Sequence, residues 1–362
     1  MEPFLLDVPQ GVLDDLSDRL RRTRFPPEIP GVGWQQGTDL GFLRATVAHW
    51  IDGYDWRAEE REINRFRHFH ETIDGLRIHF IHQRNGGVPL LLTHGWPGSF
   101  YEFVKLIPLL KGFDLVVPSL PGYGFSDPPR ETGMNPFAIA DLWAELMTRL
   151  GYAKFAAQGG DWGASVSTCL ALRHPERLLG LHLNYIPGSY RPHAEPDAEA
   201  REFLKSADTW RDEEGAYGHQ QRTFPQSLGV GLDDSPAGLL AWIAEKLRTW
   251  SDCDGDLSNR FTTGEILTHV MIYWISRSAT SSARLYWEGR RRPIHLQPGE
   301  RVRVPTAIAR FPKDAPFPPR SWIERGYDVV RYTEPPRGGH FAAWEEPGLL
   351  AEDLRAFFLA SP

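Results

Sequence analysis

One turn of this chain has the composition that a reactive side chain needs. It reads Gly159-Gly160-Asp161-Trp162-Gly163 and lies between a predicted strand and a predicted helix. A strand-to-helix turn this sharp strains its central residue and requires small neighbours, which the glycines supply. The pattern predicts that Asp161 is presented as a nucleophile. A glycine-rich turn whose Asp only caps the following helix is the alternative that this segment leaves open.

An Asp at the centre of such a turn determines which bonds the protein could break. A serine nucleophile attacks acyl groups, whereas a carboxylate opens a strained or activated C–O or C–halogen bond by displacement. The product is an alkyl ester of the enzyme, which water must then cleave. Asp161 therefore points away from esterases and towards epoxides or alkyl halides as substrates.

Hydrolysis of that ester passes through a tetrahedral oxyanion, which needs two preorganised N–H donors. The backbone N–H of Trp162, directly after the nucleophile at a helix N-terminus, is the first candidate. The second is expected in the turn after an earlier strand, which reads His94-Gly95-Trp96-Pro97. We assign the N–H of Trp96, because Pro97 has no N–H. A tight loop without a catalytic role is the alternative.

The water that cleaves the ester needs a general base. His340, in Gly338-Gly339-His340-Phe341, lies on a glycine-rich loop after the last predicted strand. It satisfies the chain order nucleophile, acid, histidine. The acid is expected after the preceding strand, where Asp314 lies, and its role is to orient the imidazole and stabilise the imidazolium. Asp328 and Glu334 are the alternatives for this acid.

Strand and helix patterns alternate through much of the chain, which predicts a mostly parallel sheet with helices on both faces. The turn Asp74-Gly75 predicts a hairpin between the first two strands. We predict strands at 68–73, 76–83, 88–93, 113–119, 155–158, 179–183, 302–309 and 327–332, and helices at 137–150, 164–172 and 349–359. We expect His94 to organise its loop, and four strand histidines to fill a partly solvated sheet face: His68, His70, His79 and His82.

These patterns divide the chain into four segments. Residues 1–66 form an N-terminal extension of amphipathic helices that cannot bury their apolar stripes alone, so we expect them to pack on the domain that follows. Residues 67–188 and 301–362 form the two parts of the α/β core. Residues 189–300 interrupt the core as a helical cap, with helices predicted at 236–250 and 263–277.

The composition excludes several classes of protein. Forty Lys and Arg against 47 Asp and Glu give a net charge of −7, which does not suit nucleic-acid binding. The apolar runs are shorter than the ~20 residues of a membrane span, and the first residues do not resemble a secretory signal. Two cysteines predict reduced thiols in a soluble, cytoplasmic protein. No Cys/His cluster has zinc-like spacing, so we expect neither a metal nor an organic cofactor.

Taken together, the motifs resemble the epoxide hydrolases of the α/β-hydrolase superfamily, in particular the microsomal-type branch with an N-terminal helical extension. The motifs that carry the resemblance are Pro26-Pro27-Glu28, His94-Gly95-Trp96-Pro97-Gly98-Ser99, Gly122-Tyr123-Gly124-Phe125-Ser126, Gly159-Gly160-Asp161-Trp162-Gly163, Asp234-Ser235-Pro236, Phe311-Pro312 and Arg337-Gly338-Gly339-His340-Phe341-Ala342-Ala343. The resemblance covers nearly the whole chain. It implies an α/β-hydrolase fold, with a mostly parallel central sheet and a helical cap, that converts an epoxide and water to a vicinal diol.

The resemblance also implies two cap tyrosines that donate hydrogen bonds to the epoxide oxygen. Tyr217 and Tyr286 match those positions. A phenol with a pKa of about 10 is a neutral donor at pH 7 and helps a strained alkoxide leave. The chain departs from the family in two respects. Its first residues do not resemble the N-terminal anchor of the membrane-bound members, so we expect a soluble bacterial-type member. Its expected triad acid is Asp314, where animal enzymes often have Glu.

Two other functions stay open. A haloalkane dehalogenase shares the Asp nucleophile, and Trp96 could bind the halide, although paired cap tyrosines favour an epoxide. The second open function is that of a non-catalytic α/β-hydrolase scaffold that binds a ligand. Such proteins usually lose a triad member, whereas this chain has candidates for all three. Aromatic residues of the cap suggest a bulky or aromatic epoxide: Phe203, Trp210, Phe224, Trp242, Tyr273 and Trp274. The resemblance to soluble bacterial members of the branch implies a role in natural-product biosynthesis. The sequence is compatible with a homodimer but does not determine the oligomeric state.

Overall fold

The computed structural model describes residues 1–359. The chain begins with a short strand, β1 (Glu2–Phe4), followed by the helices α1 (Gln10–Arg21), α2 (Leu40–Asp52) and α3 (Trp56–Ile63). The amphipathic patterns predicted α1 and α2. They did not reveal β1, which has three residues, or α3, which has eight, because elements this short show no clear hydrophobic period.

The central sheet contains the strand β1 and the strands predicted from the sequence. These are β2 (His68–Ile73), β3 (Leu76–Gln83), β4 (Val88–Thr93), β5 (Phe113–Pro118), β6 (Phe155–Gly159), β7 (Leu178–Leu183), β8 (Val302–Ala309) and β9 (Tyr327–Thr333). Within residues 1–359 the spatial order is β1-β2-β3-β5-β4-β6-β7-β8-β9. The pairs from β1 to β5 are antiparallel, and every pair from β5 to β9 is parallel. The mostly parallel sheet is therefore confirmed.

The hairpin between β2 and β3 forms at the predicted turn. Asp74 has φ 49° and Gly75 has φ 78°, so both central residues are left-handed. This is the backbone of a two-residue type I′ turn, whose twist matches the twist of the flanking strands. The turn therefore determines which residues of β2 and β3 face each other, beginning with Ile73 opposite Leu76.

The four strand histidines are buried, which corrects the expectation of a partly solvated face. His68 and His79 lie side by side, with 2.9 Å between Nδ1 of the first and Nε2 of the second. The ring of Phe4 on β1 covers His68, His70 and His79. Burial lowers the pKa of each of these three histidines, so they are neutral at pH 7. For these three the sequence prediction failed because β1, which closes this edge of the sheet, was not recognised. His82 is covered by Tyr152 instead, with 3.0 Å between its Nε2 and the phenol oxygen.

Helices cover the sheet and form the cap. The core helices are α4 (Pro136–Arg149), α5 (Asp161–Arg173), α12 (Arg320–Ile323), α13 (Ala342–Glu345) and α14 (Pro347–Phe358), and the cap helices are α6 (Ala198–Glu214), α7 (Ala216–Thr223), α8 (Pro225–Asp234), α9 (Pro236–Trp250), α10 (Thr263–Ser276) and α11 (Ala279–Arg291). Short 3₁₀ helices occur at Gly33–Gln36, Phe100–Phe103, Ile107–Leu109, Pro175–Arg177 and Leu257–Asn259. In residues 1–359 no helix combines the length and apolarity that a membrane crossing requires.

The cap contains more helix than the sequence indicated. The apolar stripes of α9 and α10 predicted those two helices, whereas α6, α7, α8 and α11 were not recognised. Helix α6 has 17 residues, of which only Ala200 is buried. Its larger apolar side chains, Phe203, Leu204 and Trp210, line a cavity and stand among many charged residues, which weakens the apolar pattern that would indicate a helix. Helix α11 buries mostly small and hydroxyl-bearing side chains, which do not stand out as an apolar pattern.

The N-terminal extension packs on the cap as well as on the core. The hydroxyl of Thr38 donates to the carbonyl oxygen of Ala241 on α9 at 2.7 Å. The hydroxyls of Tyr54 and Thr268, the latter on α10, are 2.9 Å apart. The apolar side chains of α1 and α2 join the same hydrophobic core as those of α9. The extension therefore braces the cap against the sheet, and this fixes where cap residues lie above the strand ends.

Candidate active site

The turn between β6 and α5 strains the residue at its centre. Asp161, the first residue of α5, has φ 46°, a left-handed conformation that costs a residue with a β-carbon about 1–2 kcal/mol. The backbone passes so closely that only glycine fits beside it. A β-carbon on Gly159 would lie 2.2 Å from the carbonyl oxygen of Gly163, and one on Gly163 would lie 1.8 Å from that of Thr93. The turn therefore has the geometry of a nucleophile elbow.

The loop after β4 supplies a donor to the carboxylate at this turn. The backbone N–H of Trp96 donates to Oδ1 of Asp161 at 2.7 Å. The carboxylate occupies the space beside Gly95, where a β-carbon would lie 2.1 Å from Oδ1. The N–H of Trp162 belongs to the first turn of α5, where backbone donors have no partner inside the helix. The two predicted oxyanion donors therefore flank Asp161, that of Trp96 on the loop after β4 and that of Trp162 in the first turn of α5.

His340 lies between Asp161 and Asp314. Its Nε2 is 3.3 Å from Oδ2 of Asp161, and its Nδ1 is 2.6 Å from Oδ1 of Asp314. Asp314 is buried, with 1% of its side chain exposed, on the loop after β8. The alternative acids lie elsewhere on the surface, Asp328 near Arg301 and Glu334 near Arg310. Of the three acids considered, the structure therefore brings Asp314 to the imidazole.

The two carboxylates control the charge of His340. Burial alone would lower its pKa, but the charges of Asp314 and Asp161, together with the hydrogen bond to Asp314, raise the pKa well above its ordinary value. In the protein without substrate, the two carboxylates thus favour the imidazolium form of His340. Removing the charge of either carboxylate would therefore lower the pKa of the imidazole and favour its neutral form.

The loop that carries His340 is held by a buried acid that the sequence analysis missed. Glu345 accepts the backbone N–H of Gly339 at 3.0 Å and that of Asp252 at 2.7 Å. Burial raises the pKa of Glu345 to about 7. The N–H of His340 itself donates to the carbonyl oxygen of Trp250, at the end of α9, at 2.8 Å. These hydrogen bonds therefore connect the end of the cap helix α9 to the loop that carries His340.

The predicted tyrosines lie above Asp161, each against one of the two tryptophans. Tyr217 on α7 stacks on Trp96, and Tyr286 on α11 meets Trp162 edge to face at a centroid distance of 4.9 Å. The two phenol rings are 5.7 Å apart and nearly perpendicular. Burial raises the pKa of both tyrosines, so both hydroxyls keep their proton at pH 7. The side-chain roles of the tryptophans were not visible in the sequence.

A cavity of about 430 Å³ opens above this group, lined by Asp161, Tyr217 and Tyr286. Its size suits a small organic molecule. Of the six cap aromatics expected near a substrate, Phe203 and Trp210 line it. The other four do not line it, and they differ in exposure: Phe224 is largely exposed, Trp242 is half-buried, and Tyr273 and Trp274 are buried. For these four the expectation of a lining role is corrected.

A second, small cavity lies on the other side of Asp161. It holds about 20 Å³, enough for one water molecule, and is lined by Asp161, His340, Glu102 and Gln158 among others. Removal from bulk water raises the pKa of Glu102 to about 8. The side-chain carbonyl of Gln158 and the hydroxyl of Thr93 have no protein partner there within the described chain. Glu102 was missed because nothing in its spacing distinguishes it from a surface acid.

Outside this group, His94 organises its loop as expected. The N–H of Leu120 donates to Nε2 of His94 at 3.1 Å, so Nδ1 carries the proton and lies 3.0 Å from the carbonyl oxygen of Gly95. Burial lowers the pKa of His94 to about 4, so it is neutral. Across residues 1–359 no group of three or more His, Cys, Asp or Glu side chains is placed to hold a metal ion.

The sheet order, the strained Asp at the end of β6 and the histidine loop after β9 define the class of the protein. It is an α/β hydrolase with a carboxylate in the position of the nucleophile. Two family profiles match the chain. Residues 1–103 match the family described as the epoxide hydrolase N terminus, and residues 88–347 match the alpha/beta hydrolase fold family.

Known proteins are similar along almost the whole chain. A candidate epoxide hydrolase of Stigmatella aurantiaca is 42% identical over 98% of this chain and 84% of its own length. Epoxide hydrolase 1 of Sus scrofa is 36% identical over 99% of this chain and 88% of its own length. The structure of the Aspergillus niger epoxide hydrolase superposes with a TM-score of 0.86 at 32% identity, over 98% of this chain and 95% of that chain. The chain belongs to the epoxide hydrolase family of the α/β-hydrolase superfamily.

Proposed function

We propose that this protein hydrolyses an epoxide to a vicinal diol through a covalent ester on Asp161. One observation carries the proposal. The carboxylate of Asp161 is held between the N–H of Trp96 and Nε2 of His340, and it lines the large cavity together with Tyr217 and Tyr286. The same group supplies a nucleophile, acid donors for the leaving oxygen and a base for water.

In the first step an oxygen of Asp161 displaces the ring oxygen from a carbon of the epoxide. Oδ2 is the attacking atom, because Oδ1 is already bound by the N–H of Trp96 and becomes the carbonyl oxygen of the ester. The C–O bond of the ring breaks as the new bond forms. The departing oxygen takes a proton from Tyr217 or Tyr286, whose raised pKa values keep them protonated beforehand. That tyrosine is reprotonated from solvent or from the imidazolium.

In the second step water cleaves the ester. Esterification removes the negative charge of Asp161, so the pKa of His340 falls and the imidazole can accept a proton. Water in the small cavity beside Glu102 attacks the ester carbonyl and gives its proton to His340. Oδ1 becomes the oxyanion, bound by the N–H groups of Trp96 and Trp162. Collapse breaks the bond to Oδ2, and the diol leaves with that oxygen and a proton from His340.

The trapped ester tests the proposal. With His340→Gln, alkylation proceeds but hydrolysis does not, so the protein mass rises by one substrate molecule and peptide mapping places it on Asp161. The matched control, Asp161→Asn, stays unmodified. Full turnover by His340→Gln, or an adduct that forms equally on the control, contradicts the mechanism.

Heavy-oxygen water gives a second, independent measurement. The water oxygen enters the carboxyl group of the enzyme, because Oδ2 leaves with the diol. We expect the label in the peptide that contains Asp161 after repeated turnover of unlabelled epoxide. Label found in the diol alone after a single turnover would mean direct attack of water on the epoxide, and the ester would be excluded.

The size of the large cavity and its aromatic lining by Phe203 and Trp210 support a bulky or aromatic epoxide. A dehalogenase would act on an alkyl halide through the same carboxylate, so matched substrates separate the two functions. Para-substituted styrene oxides and the corresponding benzyl bromides are compared for diol and bromide. We expect diol formation from the epoxides. Enzyme-dependent bromide release from the bromides, without diol formation from the epoxides, would assign the site to dehalogenation.

A further inference from the structure

The large cavity carries a group of cations that the hydrolytic chemistry does not use. Four arginines line it, Arg191, Arg211, Arg222 and Arg290, together with a single acid apart from Asp161. That acid is Asp208, which pairs with Arg211 at 2.5 Å. The chain as a whole has a net charge of −7, so this local excess of positive charge runs against the overall composition.

Among residues 1–359, three of these guanidinium groups have no carboxylate partner. In the part of the chain that the structure describes, no ion pair within 4.0 Å involves Arg191, Arg222 or Arg290. Arg191 donates to the backbone carbonyls of Gly188 and Tyr190, and Arg222 approaches only Nδ1 of His219, at 3.4 Å. Arg191 and Arg222 are half-buried, whereas Arg290 is exposed. Partly buried cations without a counter-ion are costly, so a ligand anion would be favourable here.

The arginines are close enough to repel one another. Burial lowers the pKa of Arg222, and the charges of Arg211 and Arg290 lower it further. A cleft with several like charges and low-dielectric walls focuses its field on an oppositely charged ligand. Guanidinium groups also bind carboxylates with two parallel hydrogen bonds, which a single ammonium group does not do.

The helices that carry the tyrosines also carry two of these arginines. Arg290 comes four residues after Tyr286 on α11, so it projects from the same face about one helical turn, or about 5.4 Å, farther along. Arg222 comes five residues after Tyr217 on α7. Both arginines line the same cavity as the two tyrosines, so an epoxide whose oxygen is held by the tyrosines has room to place a group several bonds away beside them.

We propose that the substrate is an epoxide with a carboxylate several bonds from the ring, and that Arg191, Arg222 and Arg290 bind this carboxylate. The proposal rests on the proposed function, because it names the substrate class of the same site. It predicts discrimination by charge at the far end of the substrate, with the ring-opening residues unchanged. A cationic substituent at the same place is disfavoured.

A set of three substrates with the same ring tests the charge preference. Para-carboxystyrene oxide is compared with its methyl ester and its primary amide, which are neutral. We expect kcat/KM to be roughly tenfold or more higher for the acid, since hydrogen bonds to charged groups are worth about 1.5–3 kcal/mol. We also expect this advantage to shrink as salt is added, because salt screens partly exposed charges.

Variants of the arginines then assign the effect to the site. Arg191→Gln/Arg222→Gln is expected to lose most of the preference for the acid, through KM, so that the kcat/KM values of the acid, the ester and the amide become similar. Arg201→Gln is the matched control, because Arg201 lies on α6 outside the cavity lining and is exposed. Equal kcat/KM for acid and ester in the wild-type protein, or a preference that survives the double variant, overturns the proposal.

A binding measurement separates this inference from the proposed function. The Asp161→Asn variant is titrated calorimetrically with the diol of the acid and with the diol of its methyl ester. We expect the acid diol to bind roughly tenfold more tightly. Equal binding overturns the charged subsite even if all epoxides are hydrolysed. Tighter binding of the acid diol supports the charged subsite even if no epoxide is turned over. In that case only the proposed function is contradicted.

Discussion

The indole of Trp96 stacks on the phenol of Tyr217 at a centroid distance of 5.1 Å and an interplanar angle of 8°. The backbone N–H of the same tryptophan donates to Oδ1 of Asp161 at 2.7 Å. One residue of the core thus contacts the candidate nucleophile with its main chain and a candidate proton donor of the cap with its side chain. This relationship ties the position of the cap to the geometry of the reaction.

The two tyrosines should affect ring opening and leave ester cleavage almost unchanged. Tyr217→Phe or Tyr286→Phe keeps the stacking rings but removes one hydroxyl, so we expect alkylation to slow about tenfold in each single variant and about 10³-fold in the double variant. Single-turnover kinetics separate the two steps. Equal slowing of the ester cleavage step would mean that the hydroxyls act on the tetrahedral intermediate instead.

Asp314→Asn should block the second step. The amide keeps the shape of the acid but removes the charge that raises the pKa of His340 and stabilises its imidazolium. We expect cleavage of the ester to slow about 10³- to 10⁴-fold while alkylation persists, so that the covalent intermediate accumulates. Mass spectrometry detects it. Asp328→Asn, at the acid that lies away from His340, is the control and should turn over normally.

Glu102 should make stability depend on pH. Its folded pKa of about 8 lies above the value of an unfolded chain, so it binds a proton more tightly when folded. Its favourable contribution is complete below about pH 4.5 and is lost as the pH rises through about 8. We therefore expect the Tm of the wild type to fall relative to that of Glu102→Gln between pH 5 and pH 9. The exposed Glu28→Gln should show no such difference.

Gly95 should tolerate no side chain. A β-carbon there would lie 2.1 Å from Oδ1 of Asp161, so Gly95→Ala displaces the carboxylate from the N–H of Trp96. We expect loss of alkylation and a decrease in stability of about 1–3 kcal/mol, the usual cost of overpacking. Gly11→Ala, on α1 with open space around it, is the control and should raise stability by about 0.5 kcal/mol. An active Gly95→Ala protein would contradict the assigned geometry.

The parts of the site that depend on local sterics could be predicted from the sequence. The glycines around Asp161 are needed by the backbone of the turn itself, and Asp74-Gly75 specifies its own hairpin, because both depend only on neighbouring residues. The strands from β2 to β9 also carry apolar runs long enough to recognise. The position of His340 on a loop after the last strand follows from the order of the elements along the chain.

The tertiary structure decided everything that depends on how distant segments pack. It brought Asp314, and not Asp328 or Glu334, to within 2.6 Å of His340, although all three acids follow strands or lie on them. It placed the half-buried Glu102 beside Asp161 and gathered the four arginines from separate parts of the cap around one cavity. A sequence pattern records what each segment prefers for itself. Contacts between segments arise only when their apolar faces are buried against each other, and that packing determines which polar side chains meet.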